Sequence, residues 1–336
     1  MELRPVNVVL SEMSRIVDNT EYVGLDLSDS YFKYQDSDSG DPYILQGNQK
    51  MFIKTDWVRK QLCKLIGVTE RFYKLSPEDL SEVNLNTHSK FLGDKKSKSV
   101  LNCITQEDGT LVIRGILPEN SLAITNKEVI TEIVNYLGEN NVQGIRDLSG
   151  VGVFDPEWHG IVVTNYTVLL DTGEWNRGYL LKVSELGSSK LCITPVLYNS
   201  NRDVYLVLQE NSGKWVIEEK YDNPKNGTLS PNIRSGLERG DAIFRDLIDS
   251  LEDKFSKRFD DQRAVYHLLG DWSTRKNMSG AVIKKVIKTL DSQDEEEYVE
   301  TAGELCELFL QEASSINFAT THKTSGFLAN YLGFRA

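Results

Sequence analysis

The sequence is short of several things, and each shortage closes a class of protein. It has four cysteines in 336 residues, Cys63, Cys103, Cys192 and Cys306, spaced forty or more apart. With no Cys-x-x-Cys pair and no histidine at ligand spacing, neither a metal site nor a disulfide framework is expected, and free thiols suit the cytoplasm. Eight prolines and 24 glycines are too few for a collagen-like or low-complexity chain. No apolar run approaches the roughly 18 to 20 residues of a membrane span, so no membrane partner is expected. The opening MELRPVNVVLSEMSR carries acids on a helical apolar rhythm, unlike a signal peptide. Phosphate-cradling signatures are missing too: GVGVFD has Gly150 and Gly152 but Asp155 where a third glycine would stand. DSDSGD at 36–41 puts Gly40 fifth where a calcium loop needs it sixth. No cofactor is implied.

The balance is also short of positive charge, 38 bases against 50 acids, net −12. A surface that binds polyanions all over is excluded, and only local basic patches remain.

What is present reads as α+β. Residues 1–49 carry nine acids against three bases and form an acidic lead-in after one short helix. TDWVRKQLCKLIG begins with a Thr/Asp cap signal, sets Val58, Leu62, Leu65 and Ile66 on one face, and ends at Gly67. SPEDLSEVNLNTHSKFLG predicts a second helix. From about Val100 to Leu208 come runs rich in Val, Ile, Thr and Tyr, broken by turn residues, with one helix, NKEVITEIVNYLG, capped by Asn126. After Ile233 the rhythm is helical. Leu237, Phe244, Ile248, Leu251 and Phe255 line one face of a long helix, and others follow near 280–290, 297–313 and 321–332. The expected fold is a central, mostly antiparallel sheet flanked by N-terminal helices, with a helical C-terminal subdomain. Its expected division is 1–49, a 50–230 α+β core, and 231–336.

Candidate chemistry is sparse. DPEWHG at 155–160 gathers Asp155, Glu157, Trp158 and His159, which would serve either as a general base beside an imidazole or as an inward Trp with an outward ion pair. Basic clusters say more. Lys50 to Lys74 holds seven bases against two acids, with Trp57, Phe72 and Tyr73 interleaved, and Lys90, Lys95, Lys96 and Lys98 surround the next loop. Arg275, Lys276, Lys284, Lys285 and Lys288 form a third cluster, while Asp291 to Glu312 has nine acids and no base. Cations mixed with rings suit single-stranded nucleic acid, where phosphates meet Lys and Arg and bases stack on aromatics. The solvated face of an amphipathic helix or loop is the other explanation of each cluster. Lys54, Trp57, Arg59, Lys60, Lys64, Arg71, Tyr73, Lys95, Lys96 and Lys98 are the candidate contacts.

Two stretches carry a resemblance. TLVIRGILPENSLAITNKEVI, with Arg114, Leu117, Ile124 and Asn126, and GYLLKVSELGSSKLCITPVLY, with Gly178, Ser184, Glu185, Gly187, Pro195 and Leu197, are similar to the phage/plasmid-like domain-of-unknown-function family. The likeness covers about residues 50–330 and departs from the pattern at Ser121 and at Asn199–Arg202. It implies a mobile-element setting and supplies no catalytic residues. The resulting expectation is a phage- or plasmid-encoded cytoplasmic protein that handles nucleic acid without cleaving it, a single-strand-binding or annealing accessory that self-associates. A structural or assembly protein of a particle is the alternative, and an enzyme of unrecognised type the third.

Overall fold

A computed structural model describes residues 3–33, 41–71, 77–92, 99–119, 125–154, 157–186, 190–208, 217–219, 229–275, 278–292 and 299–332. The fold is α+β with mostly antiparallel strands, and these strands divide between two six-stranded sheets where the sequence suggested one.

The first sheet has the order β1 (Thr20–Leu25), β5 (Ser99–Thr105), β6 (Leu111–Pro118), β4 (Gln49–Phe52), β3 (Tyr43–Gln46), β2 (Ser30–Lys33). Among the described residues only the β4–β6 pair of this sheet is parallel. One face buries Phe32, Ile44, Met51, Leu101, Cys103 and Ile113 against Val58, Leu62 and Ile66 of α2 (Asp56–Ile66). Helix α2 starts and stops as its residues dictate. The Val58 N–H donates to Thr55 Oγ1 at 3.3 Å, and Gly67 ends the helix at φ 78°, a left-handed conformation that favours glycine. Helix α3 (Glu78–Leu92) closes the outer edge of β2, because the Asn86 amide bonds both the N–H and the C=O of Phe32, at 2.7 and 2.9 Å.

The chain then runs through α4 (Asn126–Leu137), a 3₁₀ turn (Glu139–Asn141) and into the second sheet. Its order is β11 (Val204–Val207), β10 (Leu191–Asn199), β9 (Gly173–Val183), β8 (Trp158–Leu170), β7 (Val142–Asp147), with β12 (Ile217–Glu219) also pairing β10. Alternation sends Trp158, Val162, Tyr179, Leu181 and Val183 to the main core and Ile161, Val163 and Leu180 to the opposite face. The main core is completed by α1 (Val6–Asp18), α4, α5 (Leu229–Phe255), α6 (Gln262–Ser273), α7 (Gly280–Ser292), α8 (Ala302–Ser314) and α9 (Phe318–Tyr331). On α5, Leu237, Phe244, Leu251 and Phe255 are wholly buried, as the seven-residue spacing requires.

Two expectations change. Residues 1–49 supply α1, whose Val9 and Met13 lie in the main core, and three strands of the first sheet. The acid-rich composition hid strands of four to six residues whose apolar positions are few. The cap of α4 is Thr125, not Asn126: Thr125 Oγ1 accepts from the Glu128 N–H at 3.1 Å while the Glu128 carboxylate accepts from the Thr125 N–H at 2.8 Å.

Candidate functional site

The sequence candidates scatter on the structure. Lys60 and Lys64 are exposed on the outer face of α2, and Arg71 is exposed beyond its end. Lys54 is exposed with Nζ 3.2 Å from Gln106 Oε1. Arg59 points Nη1 at Asp56, 3.3 Å away. Trp57 is half-buried against the first-sheet core, its Nε1 buried without a hydrogen-bond partner among the described residues, so its ring is not an open stacking platform. Tyr73, Lys95, Lys96 and Lys98 lie outside the described residues, with Phe72 and Lys74. In the third cluster Arg275, Lys284, Lys285 and Lys288 are exposed.

Strand register reveals a cation and ring arrangement that linear spacing did not. Across β2, β3 and β4, Tyr31 stands opposite Leu45 and Leu45 opposite Lys50, while Lys33 stands opposite Tyr43 and Tyr43 opposite Phe52. Directly paired residues share a face, as do residues two apart, so Tyr31, Lys33, Tyr43, Lys50 and Phe52 all lie on the face away from α2. Lys50 Nζ sits 5.3 Å from the Tyr43 ring centroid, and Lys90 of α3 brings its Nζ to 4.6 Å from that of Tyr31. Tyr31 is 41% exposed, and Phe52 packs beside Tyr43 with centroids 5.6 Å apart. Both ammonium groups lie within the distance at which a ring quadrupole attracts a cation. The periodic signal available in the sequence was the alternation YFK and YILQ, too short to stand out.

The residues of the two resemblance stretches also converge. Arg114 Nη2 lies 2.7 Å from Glu185 Oε2, Arg114 Nε donates to the Val153 carbonyl at 2.7 Å, and the Asn126 N–H donates to Glu185 Oε1 at 2.9 Å. The side chains are 4% and 9% exposed, so this pair joins the first sheet, the second sheet and α4 and offers no surface to a ligand. At DPEWHG, Trp158 is buried and donates from Nε1 to Asp147 at 3.1 Å. Glu157 pairs with Lys182 at 3.2 Å and faces His159 Nε2 at 3.6 Å, while His159 stacks on Phe318 with centroids 4.1 Å apart. The inward Trp with an outward ion pair is therefore the arrangement found; Asp155 lies outside the described residues.

Among the described residues no group of three or more His, Cys, Asp or Glu side chains is placed to hold a metal ion. No described helix is long and apolar enough to cross a membrane. All four cysteines are buried, and burial pushes the Cys103 thiol up to about 12. No family model, curated protein or solved structure matches the chain.

Proposed function

We propose that the protein binds single-stranded nucleic acid without cleaving it, as a strand-binding or annealing accessory in the phage or plasmid setting that the resemblance implies. The carrying observation is the pair of ring and ammonium contacts, Lys50 with Tyr43 and Lys90 with Tyr31, on one face of the first sheet. Tyr31, 41% exposed, is the ring a base can reach, while its diagonal neighbour Tyr43, only 9% exposed, anchors Lys50 beside it. A base that stacks on Tyr31 displaces the Lys90 ammonium, and Lys90 and Lys50 find phosphates of the same strand. Each stack contributes about 1 to 3 kcal/mol, whichever base is present. Lys60 and Lys64, exposed on the outer side of α2, lie on the opposite side of the first sheet and are not part of this surface. On a chain of net −12, a polyanion is held to such patches.

Fluorescence anisotropy with a labelled oligothymidylate at two salt concentrations tests this reading. Tyr31→Ala and Lys50→Glu should each weaken binding, and each lost phosphate contact should flatten the log–log salt slope by roughly 0.7. Wild-type protein that does not bind overturns it.

A second reading, self-assembly through α3, is favoured by the inversion of that helix. Its inward residues are Ser81, Leu85 and Ser89, while Leu80, Val83 and Phe91 are 47%, 61% and 71% exposed. Mass photometry with and without the oligonucleotide separates the two, since assembly alone is indifferent to the strand.

A further inference from the structure

Behind the second sheet's main-core face lies an open cleft that the nucleic-acid reading does not use. Its floor is β8 and β9, one wall is the end of α4, and the other is the stripe Glu238, Asp241, Arg245 on α5, spaced to fall on one helix face. Two adjoining cavities of ≈ 360 and ≈ 370 Å³ share Arg177 and Asp241. That is room for a small molecule, at the lower end of roughly 300 to 1,000 Å³.

The hydrogen bonds decide which charge the cleft accepts. Asp241 already takes three hydrogen bonds: Oδ1 lies 2.9 Å from Arg177 Nη2 and 2.7 Å from the Tyr179 hydroxyl, and Oδ2 accepts from Tyr136 at 3.2 Å. A cationic ligand would have to compete with Arg177 for that carboxylate. Glu238 faces Arg234 at 3.4 Å. The guanidinium groups keep open donors. Arg177 lies against both Phe244 and Tyr166, its Cζ 4.1 and 4.8 Å from the ring centroids. Among the described residues it uses only Nη2, which leaves Nε and Nη1 as donors. Arg245 is exposed on the same cleft and forms no ion pair among the described residues. A preoriented guanidinium with two free donors, next to a second one, matches an oxyanion in geometry and charge. Leu137 and Tyr166, the latter 55% exposed, add apolar and aromatic wall.

We infer that this cleft binds a small oxyanion, a phosphate monoester or a carboxylate, carried on a flat or apolar body. Isothermal titration with adenosine monophosphate, benzoate and inorganic phosphate tests it and distinguishes the sources. Saturable one-to-one binding of the nucleotide assigns a phosphate monoester, and of benzoate a carboxylate. In either case Arg177→Met should abolish the binding and Arg245→Glu weaken it by at least about tenfold. Arg177→Met removes a half-buried partner of Asp241, so if it does not fold, the exposed Arg245→Glu decides alone. No saturable binding of any of the three at millimolar concentration, or binding that Arg245→Glu leaves unchanged, overturns the inference. The inference does not depend on the oligonucleotide reading, which rests on the other sheet.

Discussion

A carboxylate 1% exposed on α8 needs compensation that Glu307 finds only in part. Asn199 Nδ2 donates to it at 3.1 Å and Arg202 Nε lies 2.9 Å away, but the Arg202 side chain is half exposed and Asp171 adds a like charge. Burial outweighs these partners and pushes the Glu307 carboxyl up to about 7. The folded protein therefore holds this proton more tightly than the unfolded chain, whose glutamate titrates near 4.3. The associated stability is complete below about 4.3 and is lost as pH rises to about 7. Glu307→Gln keeps an acceptor for Asn199 and removes the charge. Its melting temperature relative to wild type should rise between pH 5 and pH 8; a difference independent of pH would remove Glu307 as the cause. A Cβ at Gly240 on α5 would stand 2.6 Å from Tyr179 Cε1, a ring locked by Asp241 and the Leu237 carbonyl. Gly240→Ala should cost about 1 to 3 kcal/mol in urea denaturation, although alanine is the better helix former.

Among elements, α9 does for β11 what α3 does for β2. Ser325 Oγ accepts from the Val207 N–H at 2.6 Å and lies 3.2 Å from the Tyr205 carbonyl, so a buried helix hydroxyl satisfies the free edge of the strand. Ser325→Ala would leave both backbone groups buried and unpaired, costing about 1 to 3 kcal/mol. Equilibrium urea unfolding reads this directly, and Ser325→Thr, which keeps the hydroxyl, should lose less. Elements of this size were legible in the sequence wherever periodicity was sustained. The face of α2 from Val58 to Ile66, the seven-residue spacing on α5 and the strands between 99 and 207 follow from local pattern alone. Edge closure was not legible, because Asn86 and Ser325 act on strands 54 and about 120 residues away. The short strands β2 to β4 were hidden for a related reason: four residues give two per face, too few to show a period.

At the scale of the molecule, the two sheets meet at a buried ion pair whose members the sequence singled out without showing that they touch. Arg114 stands on β6 at a break in register between Asn102 and Cys103, Glu185 just beyond β9, and Asn126 in the first turn of α4. The candidate surface had the opposite fate. Its cations were visible in linear clusters, but the rings they cover became apparent only from register, and Trp57 turned partly inward. For the ion pair, desolvation makes the sign of a mutation depend on what remains. Arg114→Met leaves Glu185 charged at 9% exposure, holding only the Asn126 N–H among the contacts described, and should cost about 3 to 5 kcal/mol. Arg114→Met with Glu185→Leu removes both charges and should recover a substantial part of that loss. The measurement is guanidinium unfolding of wild type, both single variants and the double variant, followed by circular dichroism and by tryptophan fluorescence. Trp57 reports the first-sheet core, and Trp158, Trp175 and Trp272 report the main core. If the pair couples the two halves, the two signals should coincide in wild type and separate in Arg114→Met. A double variant no more stable than Arg114→Met would show that the cost lies in the lost contacts to Val153 and Asn102, not in the stranded charge.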